Sequence, residues 1–157
     1  MEVKPIGMIK ANPAGFYAKI DEQYIPALEG LSGFSHCIVF WWADKCDSKQ
    51  ARETISCRKP YKHSPERLGI FATRSPVRPN PIASSVVMIL SIESDGTIRL
   101  PYIDADDNTP ILDIKPYHPS CDRVNVTKLP KWCAHWPQSY EESGEFDWEN
   151  EFCCPDQ

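Results

Sequence analysis

The pattern of apolar and polar positions is clearest over residues 34–42, a β-branched and aromatic run ending before Ala43-Asp44. It is apolar on both faces, which predicts a central, buried strand. Residues 3–9 predict a first strand, broken by Asn12-Pro13 and Gly15. Residues 47–56 predict a short helix capped by Asp47 or Ser48. Residues 58–65 form a polar, proline-flanked loop. Further strands are expected over residues 68–72 and 86–92. The Asp95-Gly96 pair is a tight-turn signal that joins the latter to a strand over 97–102. Residues 111–115 close the set. Short strands separated by turns indicate an all-β chain with minor α content, an antiparallel barrel or sandwich rather than a doubly wound sheet.

Composition supports this picture. Fifteen prolines in 157 residues are roughly twice the average usage of about 5%. They argue against a helical bundle, because each fixes φ and removes a backbone donor. Residues 1–10 carry no continuous apolar core, and the longest apolar run, residues 37–43, is far short of the ~20 residues of a spanning helix. A cytoplasmic protein with no membrane partner is expected. Seven cysteines are then expected as reduced thiols. The spacing of Cys133, His135, Cys153 and Cys154 matches no zinc pattern, so no metal site is expected.

Net charge is −5, but it is unevenly spread. Residues 132–157 hold seven acids and no Lys or Arg, so residues 1–131 carry 17 − 15 = +2. Between Arg58 and Arg78, six cations face only Glu66. Such a basic stripe suits nucleic acid, or a surface balanced by salt bridges. The tail from Pro130 onward is acidic but rich in Trp, Tyr and Phe, and is expected to pack rather than float in solvent. There is no GxGxxG after a first strand and no P-loop, so a ligand site has to be built from loops.

Two stretches carry candidate chemistry. Residues 69–82 lead into a loop stiffened by Pro76, Pro79 and Pro81, from which Arg74, Arg78 and Asn80 project. Rigid guanidinium groups suit a carboxylate or phosphate held in a fixed orientation. The same arginines can instead pair with nearby acids. Residues 104–110 form an Asx-rich turn in which Asp104, Asp106 and Asp107 repel one another unless something positive is close. Asp113 and Lys115 lie two apart on the last strand and share a face, as a catalytic pair or a plain ion pair.

These stretches resemble the signature blocks of the TrmO (YaeB, TsaA-like) family. The matching residues are Phe71-Ala72-Thr73-Arg74-Ser75 with Arg78-Pro79-Asn80-Pro81-Ile82, and Thr109-Pro110 with Asp113-Ile114-Lys115-Pro116-Tyr117. Leu28-Glu29-Gly30-Leu31 with Phe34-Ser35-His36, and Ile6-Gly7, resemble further blocks. Where the family has glycine, this chain has Ala83 and Asn108; asparagine tolerates left-handed backbone. The resemblance implies a small antiparallel β-barrel over residues 1–128, with residues 129–157 as an extension on the barrel or a dimer interface. It implies a homodimer that binds S-adenosylmethionine and methylates N6 of threonylcarbamoyladenosine beside the tRNA anticodon. Cofactor contacts would fall on Ala43, Asp44, Arg74, Ser84, Asp107, Asn108, Thr109 and Pro110. Asp113, Tyr117 and Arg78 would be catalytic, and Asn80 and Lys115 would meet the substrate; no DNA partner is implied. Two other functions stay open on sequence alone: a protein that holds S-adenosylmethionine without turnover, and a methyltransferase for a small molecule.

Overall fold

The computed structural model describes residues 2–153; Cys154 and Asp156 of the tail lie outside them. Nine strands form: β1 Gly7–Asn12, β2 Gly15–Ile20, β3 His36–Trp42, β4 Ser56–Arg58, β5 Arg67–Gly69, β6 Ile82–Met88, β7 Ser91–Ile92, β8 Thr97–Leu100 and β9 Pro110–Pro116. The four helices, α1 Lys49–Arg52, α2 Pro119–Asp122, α3 Tyr140–Ser143 and α4 Trp148–Glu151, are each a single turn. The expected all-β character with minor helix is what the chain shows. The chain divides into two compact units, Met1–Asp47 with Pro81–Arg123, and Ser48–Asn80 with Val124–Gln157.

The first unit holds a seven-stranded sheet in the order β6-β3-β9-β1-β2-β8-β7, antiparallel at every pairing. The predicted central strand is β3, flanked by β6 and β9. Its alternate residues Cys37 and Val39 are buried opposite Val87 and Ser85. They join Ile9, Ile98 and Ile111 in one core. The opposite face of β3 carries Ile38 and Phe40, paired with Lys115 and Asp113 of β9. A register shift at Phe40/Trp41 leaves Leu112 as the extra residue, a bulge that bends β9 just before Asp113.

Four predicted elements move, among them the helix expected over 47–56, which shortens to the single turn Lys49–Arg52 because the chain extends again into β4 at Ser56. The first strand starts at Gly7, and Asn12 does not end the sheet. Its side chain accepts from the Ala14 N–H at 2.9 Å, an Asx turn that folds β2 back on β1. The strand expected over 68–72 is shorter, because Ile70–Ala72 tighten into a 3₁₀ turn with the Thr73 hydroxyl donating to the Ile70 carbonyl. The strand expected over 86–92 begins at Ile82 and breaks at residues 89–90, where the chain changes partner. The Ile89 N–H donates to Ser35, and the Leu90 N–H to Arg99.

The expected closed barrel is not found. Strands β6 and β7 are the two ends of the hydrogen-bonded order. They are successive pieces of one segment, which changes partner from β3 to β8 at residues 89–90. The Asp95-Gly96 turn forms as predicted, with Gly96 at φ 81°. Asn108 adopts φ 67°, the left-handed backbone its side chain tolerates. Ala83 lies within β6 opposite Trp41 at negative φ, so glycine's freedom is not required there.

In the second unit the β4–β5 ribbon precedes the proline-stiffened loop. Ser48 caps α1 as predicted, accepting from the Ala51 N–H at 3.1 Å. The aromatic tail gathers around Tyr61, which stacks on Trp132 at 5.4 Å and meets Trp136 and Phe152 edge-on or tilted. An isolated bridge between Tyr61 and Phe152 fixes the end of the described chain to this loop.

Candidate functional site

The predicted site residues fall in both units, and each group has its own local architecture. In the first unit, residues 104–110 connect β8 to β9 and lean on β1. The Asn108 N–H donates to the Ile9 carbonyl and the Thr109 carbonyl accepts from the Ile9 N–H, both at 2.8 Å. Each acid in this turn has a partner. Lys45 approaches Asp106 at 3.1 Å. Asp107 accepts from the Ala11 N–H at 3.1 Å and from the Asn108 amide at 2.8 Å. Asp104 raises the Tyr102 phenol, after burial, through its charge and a hydrogen bond. The repulsion expected among the three acids is therefore relieved by the protein itself. Thr109 is buried, and Pro110 opens β9.

Ala43 ends β3 and is buried, with its N–H donated to the Pro81 carbonyl at 2.8 Å. Asp44 follows in a 3₁₀ turn and is exposed. Ser84, on β6, is exposed opposite Phe40. Asp113 and Lys115 make the same-face ion pair, 2.7 Å apart, with the Lys115 ammonium 5.9 Å from the Phe40 ring. Tyr117 packs edge-on to His36 at 6.4 Å. The outer face of β6, β3 and β9 thus gathers Ser84, Phe40, Asp113 and Lys115.

An apolar cleft of about 420 Å³ opens on the same unit, lined by Tyr24, Leu28, Gly30, Phe34, Asp113 and Ile114 among others. Its size is that of a small-molecule site. Of the predicted site residues only Asp113 borders it. Tyr24, Phe34 and Leu28 were not singled out as ligand contacts, although the block Leu28 to Phe34 had already drawn notice as a motif.

In the second unit Arg74 and Asn80 are exposed and Arg78 is half-buried. The Arg78 guanidinium donates to the carbonyls of Thr73 at 3.2 Å and Ser75 at 3.4 Å. It sits 5.9 Å from the Phe71 ring centroid. Among the described residues Asp44, Arg74 and Arg78 have no ion-pair partner. The Tyr61 phenol is raised by burial, offset by a hydrogen bond from the Arg74 backbone and by the Arg74 charge. Among the described residues no group of three His, Cys, Asp or Glu is arranged to hold a metal ion. No described helix is long and apolar enough to cross a membrane.

The model of the tRNA-methyltransferase O N-terminal domain family matches residues 4–123. An S-adenosyl-L-methionine-binding protein of Archaeoglobus fulgidus is 34% identical over 139 residues, covering 80% of this chain and 95% of that protein. The tRNA (adenine(37)-N6)-methyltransferase of Escherichia coli K12 is 32% identical over 136 residues, covering 85% of this chain and 55% of that enzyme. A crystal structure of TrmO superposes with a TM-score of 0.65 at 32% identity, over 82% of this chain and 62% of that one. Another, from Pseudomonas aeruginosa, gives 0.64 at 30% identity, over 83% and 61%. The chain spans nearly all of the archaeal relative and little more than half of the bacterial enzymes.

Proposed function

Because the chain belongs to the tRNA-methyltransferase O N-terminal domain family, we propose that it is an S-adenosylmethionine-dependent methyltransferase. Its acceptor is N6 of threonylcarbamoyladenosine beside the anticodon of tRNA. The observation that carries this reading is the 32% identity with the Escherichia coli tRNA methyltransferase across 85% of the chain. That span includes the arginine-proline and Asx-rich stretches.

In each unit taken by itself, the groups present suit parts of the cofactor. Asp44 offers an exposed, unpaired carboxylate among the described residues, apt for a ribose diol or a cation. The free guanidinium of Arg74 is apt for the methionine carboxylate. Ala43, Ser84 and residues 107–110 supply hydroxyl and backbone groups. S-adenosylmethionine, when bound, supplies an electrophilic methyl group. The rest is positioning, since the acceptor nitrogen has to be aligned at about 3–3.5 Å from its target. A carbamoyl-substituted N6 is a weak nucleophile and must lose its proton during attack. Asp113 or Tyr117 accepts it, with the Lys115 ammonium 2.7 Å from the Asp113 carboxylate. The threonine carboxylate of the substrate pairs with Arg78, with Asn80 of the same unit in support, and Lys115 is the substrate-binding candidate of the other unit. The working protein is a cytoplasmic homodimer. Edge strand β6, which leaves Ile82 and Met88 well exposed, supports a second copy at that edge.

A second reading has its own support. The Archaeoglobus fulgidus relative, matched over nearly its whole length, is named only for binding S-adenosyl-L-methionine. Two measurements separate the two. Thermal unfolding with S-adenosylmethionine at ~100 times its dissociation constant should gain about 2.7 kcal/mol of stability, and the gain should vanish in Arg74→Ala. Labelled methyl transfer to tRNA carrying threonylcarbamoyladenosine should follow. A shift without transfer to tRNA or to the free nucleoside leaves the binding reading; no shift at millimolar cofactor removes both.

A further inference from the structure

The second unit contains a feature that cofactor binding does not use. Phe71 is 80% exposed, although it sits between buried Ile70 and buried Thr73. It is the most exposed aromatic ring among the described residues. The ring is also held in place. Its backbone is locked in the 3₁₀ turn Ile70–Ala72, and the Ile70 N–H donates to the Ile55 carbonyl at 3.0 Å. Arg78, tied to two backbone carbonyls, lies against it at 5.9 Å. An aromatic platform is thus presented rigidly, with little entropy left to lose on binding.

The surroundings indicate what would cover it. Phe71 lies two residues beyond β5, at the root of the β4–β5 ribbon. On that ribbon Arg58 and Arg67 are direct cross-strand partners, an arrangement that repels unless an anion intervenes. Glu66 pairs with Arg58 at 2.6 Å and also lies within the field of Lys59. Arg67 donates to the Ser56 hydroxyl and has no acid partner among the described residues. Lys59 is exposed on the turn that follows. A guanidinium against an open aromatic ring, with further cations on the ribbon that leads to it, is the recognition chemistry of unpaired nucleotides, whose bases stack while their phosphates are neutralised.

We propose that Phe71 is a stacking platform for an unpaired RNA base flanking the acceptor nucleotide, with Arg67 and Lys59 of the ribbon taking the adjoining phosphates. The proposal rests on the tRNA methyltransferase reading and adds the part of the chain that grips the RNA. Because Arg78 touches Phe71, a substrate carboxylate held by Arg78 would bring its neighbouring base within reach of the ring.

The test is fluorescence anisotropy of the full chain with a labelled stem-loop RNA and with the same RNA made fully duplex, titrated across salt. The wild type should prefer the stem-loop. Phe71→Ala should weaken binding about tenfold, and Phe71→Trp should restore it. Arg67→Ala and Lys59→Ala should each lower the slope of log affinity against log salt by about 0.7. Each variant should keep its circular dichroism and the melting shift with S-adenosylmethionine. Unchanged RNA affinity in Phe71→Ala overturns the proposal, as does a stem-loop bound no better than duplex. A Phe71→Ala variant whose only change is a smaller mass by light scattering also overturns it, assigning the ring to a protein interface. If the RNA results hold but no methyl is transferred, the grip stands and the enzymatic reading fails. If the cofactor shift is intact but the RNA results fail, only the grip is lost.

Discussion

At the scale of single residues, Asn108 and Cys37 show how local chemistry sets what the chain tolerates. Asn108 holds φ 67° while its amide braces Asp107. A side chain without asparagine's local hydrogen bond pays about 1–2 kcal/mol for left-handed backbone. Asn108→Val should therefore lower the unfolding free energy by that order, read from urea denaturation, whereas Asn108→Gly should stay near the wild type. Burial in the core pushes the Cys37 thiol up to about 12, so it carries no thiolate at neutral pH. Mass spectrometry after native alkylation at pH 8 should find exposed Cys121 modified and Cys37 untouched until the protein is unfolded.

At the scale of elements, close approach of backbones decides the β1–β2 hairpin. A Cβ on Gly7 would meet the Lys19 carbonyl oxygen at 2.2 Å, so no side-chain adjustment can relieve the clash. Gly7→Ala should cost about 3 kcal/mol, the upper end of ordinary overpacking, read as a lower melting point. Docking of α4 depends on Glu151, whose buried carboxylate accepts from Trp136 at 3.0 Å and meets His135 at 3.1 Å. Burial alone would raise its pKa; the bonds from Trp136 and His135 and the charges of His135 and His63 hold it below the usual glutamate value. Its contribution is therefore complete above the unfolded value of about 4.3 and is lost as pH falls through the lower native value. Tryptophan fluorescence should report acid loosening of the tail in that range, and Glu151→Gln should abolish the pH dependence while lowering stability at pH 7.

At the scale of the whole molecule, charge and assembly set what the protein can engage. A net charge of −5 repels RNA in general, so recognition depends on the local cations of residues 58–78 and should weaken steeply with salt. The proposed homodimer predicts a light-scattering mass about twice 17.9 kDa at micromolar concentration; a mass near 17.9 kDa would remove it. Legibility follows the range of the interactions. Strand β3 and the Asp95-Gly96 hairpin were readable because alternation and turn chemistry act over a few residues. Strand β2 was not, since Phe16-Tyr17-Ala18-Lys19-Ile20 offers only a weak pattern, and its register is imposed by β1 and β8 on either side. Of the candidate site, the arginine-proline loop and the Asx-rich turn could be found from residue types. That Asp107 is tied to β1, and that Phe71 stands open, could not.

What the sequence alone determined is the content of the molecule: short antiparallel strands, a proline-stiffened arginine loop, a left-handed turn at Asn108 and a family membership written in contiguous motifs. All of these depend on covalent geometry and neighbours within a few positions. The tertiary structure alone decided the pairing of strands distant in sequence, the edges left at β6 and β7 and the partners that quench the acids of residues 104–107. It also decided which aromatic rings pack around Tyr61 and that Phe71 is left open to water. These depend on contacts between residues tens of positions apart, whose cost in chain entropy is met only when the whole sheet and its core form together.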